Sequence, residues 1–242
     1  MLKVKIGGVP EHFNLPWYLT LKKGAYKERG INLRWTDCHG GTGEMCNALR
    51  SDEIDLAVIL TEGIIKDIVE GSPSKIVQTF VSSPLVWGIH VAHGSQYKTV
   101  NDIRGTRAAI SRMGSGSHLM AYVNAENHSW DLTKDLNFEI VNSLDGGIDA
   151  LTNGDADYFL WETFTTKPYV DDGTFRKIGE CPTPWPCFVI AATDRLLENH
   201  TKELKIILEI INESTRQFKS TPNIDVQISN RYLQQLKDVR EW

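Results

Sequence analysis

Residues 99–122 read TVNDIRGTRAAISRMGSGSHLMAY. Asn101, Asp102 and Ile103 form a short capped turn of helix, and Gly105 stops it. Arg107 to Ser111 is a strand, Gly114-Ser115-Gly116-Ser117 a small-residue loop, and a helix runs from His118. Strand, Gly/Ser loop and helix in that order aim free backbone N–H groups and a helix dipole at a ligand. Ser115 and Ser117 add hydroxyls, and either suits the helix cap. No Lys follows the glycines, so this is not a phosphate-binding P-loop, and the dinucleotide fingerprint is absent. What remains is a site for a small polar or anionic group.

On the N-terminal side of this stretch, strands and helices alternate. Lys3 to Val9 reads as a strand, Pro16 to Arg29 as a helix closed by Gly30, and Ile31 to Thr36 as a strand. Glu44 to Arg50 is a helix with Thr42 or Gly43 at its cap. Asp55 to Leu60 is a buried strand with no polar face after Asp55. A helix from Thr61 to Glu70 and a strand from Ser74 to Val81 follow. Trp87 to Ala92, still ahead of the quoted stretch, is a strand leaving the first set. Asn137 to Val141 and Ala156 to Trp161 are further strands around a helix from Gly146 to Asn153. Phe188 to Ala192 is an apolar strand that returns the chain. Leu196 to Phe218 is a long amphipathic helix, and Leu233 and Leu236 suggest a last one. The alternation predicts an α/β protein with mostly parallel sheets, in which the loops after the strands gather on one edge, where ligands bind.

Composition sets outer limits. The chain has 242 residues, 41% hydrophobic and 24% charged, enough for one large domain or two small lobes. A formal net charge of −5 argues against nucleic-acid binding. The apolar runs are too short for membrane insertion. Cys38, Cys46, Cys181 and Cys187 show no metal or disulfide spacing, and no His pattern suits a metal. No cofactor is indicated. The first residues run straight into a strand, without the features of a signal segment. That places the protein in the cytoplasm; the alternative is a periplasmic or lipid-anchored protein whose signal segment has been removed.

The pattern Asp102-Ile103-Arg104-Gly105, then Ala108 and Ile110, then Gly114-Ser115 with His118 resembles the start of the second lobe in type II periplasmic-binding-protein folds. The branch it is most similar to binds sulfonates, taurine and thiamine-pyrimidine precursors. The resemblance implies two lobes, 1–84 with 190–242 and 92–185, joined by crossings near 83–90 and 186–192. It implies a small-molecule ligand between them, hinge closure, and an ABC transporter permease as partner if the protein is exported. The alternative is an enzyme on the same fold, like the thiamine-pyrimidine-precursor synthase or the chorismate-dehydratase-like branch. No catalytic residue is identified, since no Ser-His-Asp or G-x-S-x-G pattern occurs.

The resemblance also implies ligand contacts from the loop after the first strand: His12, Phe13, Asn14 and Trp17, where Asn14 alternatively caps a helix. After the second strand, Gly41 and Thr42 allow close approach of an anion to a helix start, or form a plain turn. Glu62 follows the third strand, suited to a ligand amine or to the helix dipole. Arg112, Ser115, Gly116 and Ser117 form the anion site of the second lobe. Glu162 ends a strand there and mirrors Glu62, and Trp185 precedes the returning strand as a lid or as packing. Two carboxylates with several donors and aromatics suit a planar amino-pyrimidine better than a simple sulfonate.

Overall fold

The structure, a computed structural model, describes residues 1–241. From the N-terminus come β1 (Leu2–Gly8), α1 (Leu15–Lys23), α2 (Ala25–Glu28), β2 (Ile31–Asp37), α3 (Gly41–Arg50), β3 (Leu56–Leu60), α4 (Thr61–Val69) and β4 (Ser74–Val81). Next are β5 (Val86–Ala92), β6 (Arg107–Ile110), α5 (Gly116–Asn127), β7 (Asn137–Ile140), α6 (Leu144–Asn153), β8 (Tyr158–Glu162), α7 (Thr163–Asp171) and β9 (Phe175–Pro182). The chain ends with β10 (Phe188–Thr193), α8 (Asp194–Asn199), α9 (Thr201–Gln217), α10 (Ile224–Tyr232) and α11 (Leu236–Glu241).

Backbone contacts divide the chain into two units, residues 1–82 with residue 188 onward, and residues 83–187. The first holds a sheet of order β2-β1-β3-β10-β4. β1 pairs in parallel with β2 and β3, while β10 runs antiparallel between β3 and β4. The second holds a sheet of order β7-β6-β8-β5-β9, with β6 parallel to β7 and β8 and β5 antiparallel between β8 and β9. Each sheet is thus mostly parallel with one reversed strand in fourth place. In each unit that place is filled by the first strand after the chain crosses from the other unit, β5 in the second and β10 in the first.

The cores follow from the apolar strands. Leu56, Ala57, Val58 and Ile59 of β3 are fully buried, as are Ile190, Ala191 and Ala192 of the neighbouring β10. Helices cover both faces, so these central strands have no solvent side and no polar alternation. In the second unit, Met120, Ala121 and Ala125 of α5 pack against Ile89, Tyr158 and Leu160. No helix among the described residues is long and apolar enough to cross a membrane.

Several elements differ from the sequence reading, each for a local reason. The helix expected over 16–29 breaks at Gly24, which adopts φ 75° and ends α1 as a left-handed cap. The helix expected over 196–218 is two helices, because His200 leaves the helical region at φ −140°. Leu233, placed by periodicity in a last helix, instead sits between α10 and α11 with φ 55° and 91% of its surface exposed. α7 and β9 have no counterpart in the sequence reading. Pro168 interrupts the helical pattern of α7, and β9 carries Arg176-Lys177 and Gly179-Glu180 where an alternating strand would place apolar residues.

His90 on β5 is fully buried. Its Nδ1 lies 3.3 Å from the Phe159 carbonyl and its Nε2 2.9 Å from Thr166 Oγ1. The ring lies over Gly88, where a Cβ would come within 2.5 Å of it. Burial lowers its pKa to about 4, and burial lowers that of His12 to about 4 as well. Both groups take up protons more readily in the unfolded chain, so their stability contribution is complete above about pH 6.5 and is lost as pH falls towards 4. Each should cost roughly 2 kcal/mol between pH 7 and pH 5 in urea unfolding. A flat stability over that range, or a His90 ring that titrates at its ordinary value in NMR, would contradict this.

Candidate functional site

In the second unit the loop after β6 delivers its residues to the start of α5. The helix opens at Gly116, two residues before the sequence reading, with Ser115 as its N-cap. Ser115 Oγ accepts the His118 N–H at 3.3 Å. Ser117 Oγ accepts the Ser111 N–H at 2.9 Å and lies 3.1 Å from Ser115 Oγ. The hydroxyl expected to touch ligand therefore ties α5 to the end of β6, and Ser111, Ser115 and Ser117 are all buried. The Gly116 and Ser117 amides find no acceptor among the described residues. Arg112 is exposed in the loop, and its carbonyl accepts the Ser115 N–H at 3.1 Å.

The indole of Trp87, at the start of β5, covers this helix start. A Cβ on Gly116 would lie 2.9 Å from its ring, so only glycine lets the indole in. Trp87 is 6% exposed, and its Nε1 has no partner among the described residues. An unpaired buried N–H is costly, and an acceptor brought to this place would relieve it. The sequence reading missed Trp87. No local signal marks it, because its approach to Gly116 depends on β5 lying beside β8.

Glu162 departs from expectation. Its two carboxylate oxygens accept the Phe164 N–H at 2.8 Å, the Thr165 N–H at 2.9 Å and the Thr165 hydroxyl at 3.0 Å. It is the N-cap of α7, so its charge serves the first turn of its own helix. Trp185 is half-buried against the core of the second unit, and its carbonyl accepts the Thr183 hydroxyl at 2.9 Å.

In the first unit, the loop after β1 is folded onto itself. Asn14 is buried and donates from Nδ2 to the Val9 carbonyl at 2.8 Å; it makes no helix cap, and its Oδ1 has no partner among the described residues. Phe13 is half-buried with its ring 4.2 Å from that of Phe188, and His12 lies edge-on to Phe13. Trp17, expected to stack on ligand, is fully buried among Tyr26, Trp35 and Phe80 and has become core.

α3 and α4 begin side by side. α3 starts at Gly41, with φ 65°, so Thr42 lies inside the helix and does not cap it. The Thr42 methyl packs where a Cβ on Gly63 would stand, 2.2 Å away. Glu44 reaches back and accepts the Gly40 N–H at 2.6 Å. A carboxylate already occupies the helix start where an anion was expected, and it repels a second negative charge. Glu62 stands in the first turn of α4. No group of His, Cys, Asp and Glu among the described residues could hold a metal ion.

A two-unit α/β chain with these sheet orders and loop-borne helix starts has the type II periplasmic-binding-protein fold. The model of the Ca3427-like PBP family matches residues 87–181, which run from Trp87 to Cys181. No curated protein sequence matches the chain. Among solved structures, the chain is similar over its whole length to 80% of the Candida albicans CA3427 gene product, at 26% identity and TM-score 0.89. That protein is described as defining a new family with the generic periplasmic-binding-protein fold. The whole chain also matches 78% of the periplasmic aliphatic sulphonate-binding protein SsuA of Escherichia coli, at 16% identity and TM-score 0.80. A third match covers 83% of the alkanesulfonate-binding SsuA of Xanthomonas axonopodis pv. citri bound to MOPS, at 14% identity and TM-score 0.78.

Three substitution sets check this geometry by thermal or urea unfolding. Gly63→Ala should cost about 1–3 kcal/mol by overpacking, and adding Thr42→Ala should recover most of it. Ser117→Ala strips the Ser111 N–H of its acceptor and should cost about 1–3 kcal/mol. Glu162→Gln keeps a weaker cap and should cost about 0.5–1 kcal/mol. An unchanged stability for Gly63→Ala would mean that α3 and α4 do not approach as described.

Proposed function

We propose that this chain is a solute-binding protein that takes a small molecule with an amine at one end and an acceptor-rich group at the other, and closes its two units on it. The observation that carries this reading is the start of α5. The Gly116 and Ser117 amides are unused, and the indole of Trp87, whose buried Nε1–H has no partner among the described residues, lies over Gly116. All are donors, so they select a carboxylate, a sulfonate or an acceptor-rich ring. In the first unit the acids point to the opposite chemistry. Glu44 serves Gly40, and Glu62, in the first turn of α4, is the acid we assign to the ligand amine.

The solved relatives named for sulphonates support an oxygen-rich ligand end. An aminoalkyl sulfonate and an aminopyrimidine both combine the two ends. Closure follows if ligand contacts on both units stabilise the closed state more than the open one. The hinge belongs where residues 82–85 pass residues 183–188. For an exported protein of this kind, the partner is an ABC transporter permease.

Calorimetry with taurine, ethanesulfonate and 4-amino-5-hydroxymethyl-2-methylpyrimidine tests the reading. At least one amine-bearing compound should bind more tightly than ethanesulfonate. Glu62→Gln should remove that advantage, about 1.5–3 kcal/mol for a charge-assisted hydrogen bond. Trp87→Phe should weaken all binding compounds by about 1 kcal/mol. Ethanesulfonate binding as tightly as taurine, with Glu62→Gln neutral, would sink the amine assignment; no binding by any of the three would sink the ligand class.

A further inference from the structure

The last residue of the Gly114–His118 motif has no part in the proposed ligand contacts, yet it organises the loop. His118 Nδ1 accepts the Gly114 N–H at 3.0 Å, and the His118 backbone N–H donates to Ser115 Oγ at 3.3 Å. These two bonds form a reciprocal cap. In the common capping box, the residue three after the N-cap is Glu or Gln and reaches back to the cap amide. Here it is an imidazole, and it reaches one residue further, to Gly114. Gly114 is held at φ 73°, and the turn is closed by the bond from Ser115 N–H to the Arg112 carbonyl. The imidazole is walled by Phe138, centroids 4.7 Å apart, and by Tyr122, 5.2 Å apart, both edge-on. Its Nε2 is buried without a partner among the described residues.

A carboxylate or amide in this place accepts a hydrogen bond throughout the neutral and mildly acidic range. An imidazole accepts at Nδ1 only when it is neutral and carries its proton on Nε2. When it is protonated, an Nδ1–H faces the Gly114 N–H, donor against donor. A cation then also stands in the first turn of a helix whose start is already electropositive. We propose that His118 is a positioning residue that holds the Gly114–Ser115 loop in its ligand-ready form only while its imidazole is neutral, so that acidification frees the loop and weakens binding at the start of α5. The binding half of this inference rests on the reading of that helix start as the ligand site. Burial alone moves the His118 pKa, downward. Tyr122, on its own helix, is the titratable group whose ring faces it; β7 presents Phe138, and no charged group contributes to the shift.

NMR of the ligand-free protein between pH 7.5 and about 4.5 tests the loop directly. The His118 ring and the Gly114 and Ser115 amides should titrate with one midpoint, below the ordinary value of about 6.5. The Gly114 protection factor, the unprotected exchange rate at the same pH divided by the observed rate, should fall once His118 is protonated. His118→Asn places Oδ1 where Nδ1 stands and carries no titrating group; it should keep Gly114 protected across the range and abolish the transition. His118→Phe should leave Gly114 unprotected at every pH. With taurine as probe, wild type should lose about tenfold in affinity between pH 7 and pH 5, and His118→Asn should not. Loop amides that ignore the ring titration, or a His118→Asn variant with the wild-type pH response, would overturn the proposal. If the loop responds as described while taurine binds at no pH, the positioning role stands and the ligand reading falls.

Discussion

The structure depends on one antiparallel pairing of backbone, made by two stretches far apart in sequence. Val81 pairs with Phe188 at the end of the first sheet. The Cys187 N–H donates to the Ser83 carbonyl at 3.0 Å, and the Thr183 N–H to the Leu85 carbonyl at 2.9 Å. Val86 then pairs with Pro182 at the start of the second sheet's ladder. Thr183 strengthens the run by accepting the Leu85 N–H through its hydroxyl at 3.0 Å. Neither sheet is complete without its reversed strand. β10 must enter between β3 and β4 after the whole second unit has been threaded, so the first unit closes a long loop for its last strand. The entropy of such a closure grows only slowly with loop length, but its contacts are non-local and form late.

At the edge where the parallel strands end, small residues decide what can approach. Gly8 admits the ring of Trp35, Gly63 the methyl of Thr42, and Gly116 the indole of Trp87. In each case a Cβ would collide with a side chain at 2.2–2.9 Å. These contacts draw helix starts and aromatic rings together without a metal or a charge pair. They also leave the start of α5 with its Gly116 and Ser117 amides unserved among the described residues. Its neighbours are an indole and serine hydroxyls, while the starts of α3 and α7 are already served by Glu44 and Glu162. A carboxylate next to its own helix start satisfies two or three amides at almost no loop cost, and that local bond outcompetes a distant role.

The alternation of strand and helix was legible in the sequence because burial on both faces leaves continuous apolar runs such as Leu56–Leu60 and Phe188–Ala192, which do not depend on partners. The Gly/Ser stretch after β6 was legible because its helix-start chemistry is local: Ser115 does cap α5. The breaks at Gly24 and His200 were not, since a glycine or a histidine inside a periodic pattern is compatible with continuing it.

The sequence by itself determined which residue types stand at the strand ends: glycines, serines, two acids and several aromatics. Only the tertiary structure decided what each one does there. Trp17 and Trp87 are both tryptophans near strand ends, each with an indole N–H that has no partner among the described residues, yet one is walled in by Tyr26, Trp35 and Phe80 and the other lays its ring over the helix start at Gly116. Glu62 and Glu162 both follow strands, yet Glu162 is spent on three bonds within its own first turn. The physical reason is that a side chain's role is set by which donors, acceptors and surfaces reach it within about 3–4 Å. That neighbourhood is fixed by strand order, which brings β5 beside β8 and β10 beside β3 from opposite ends of the sequence.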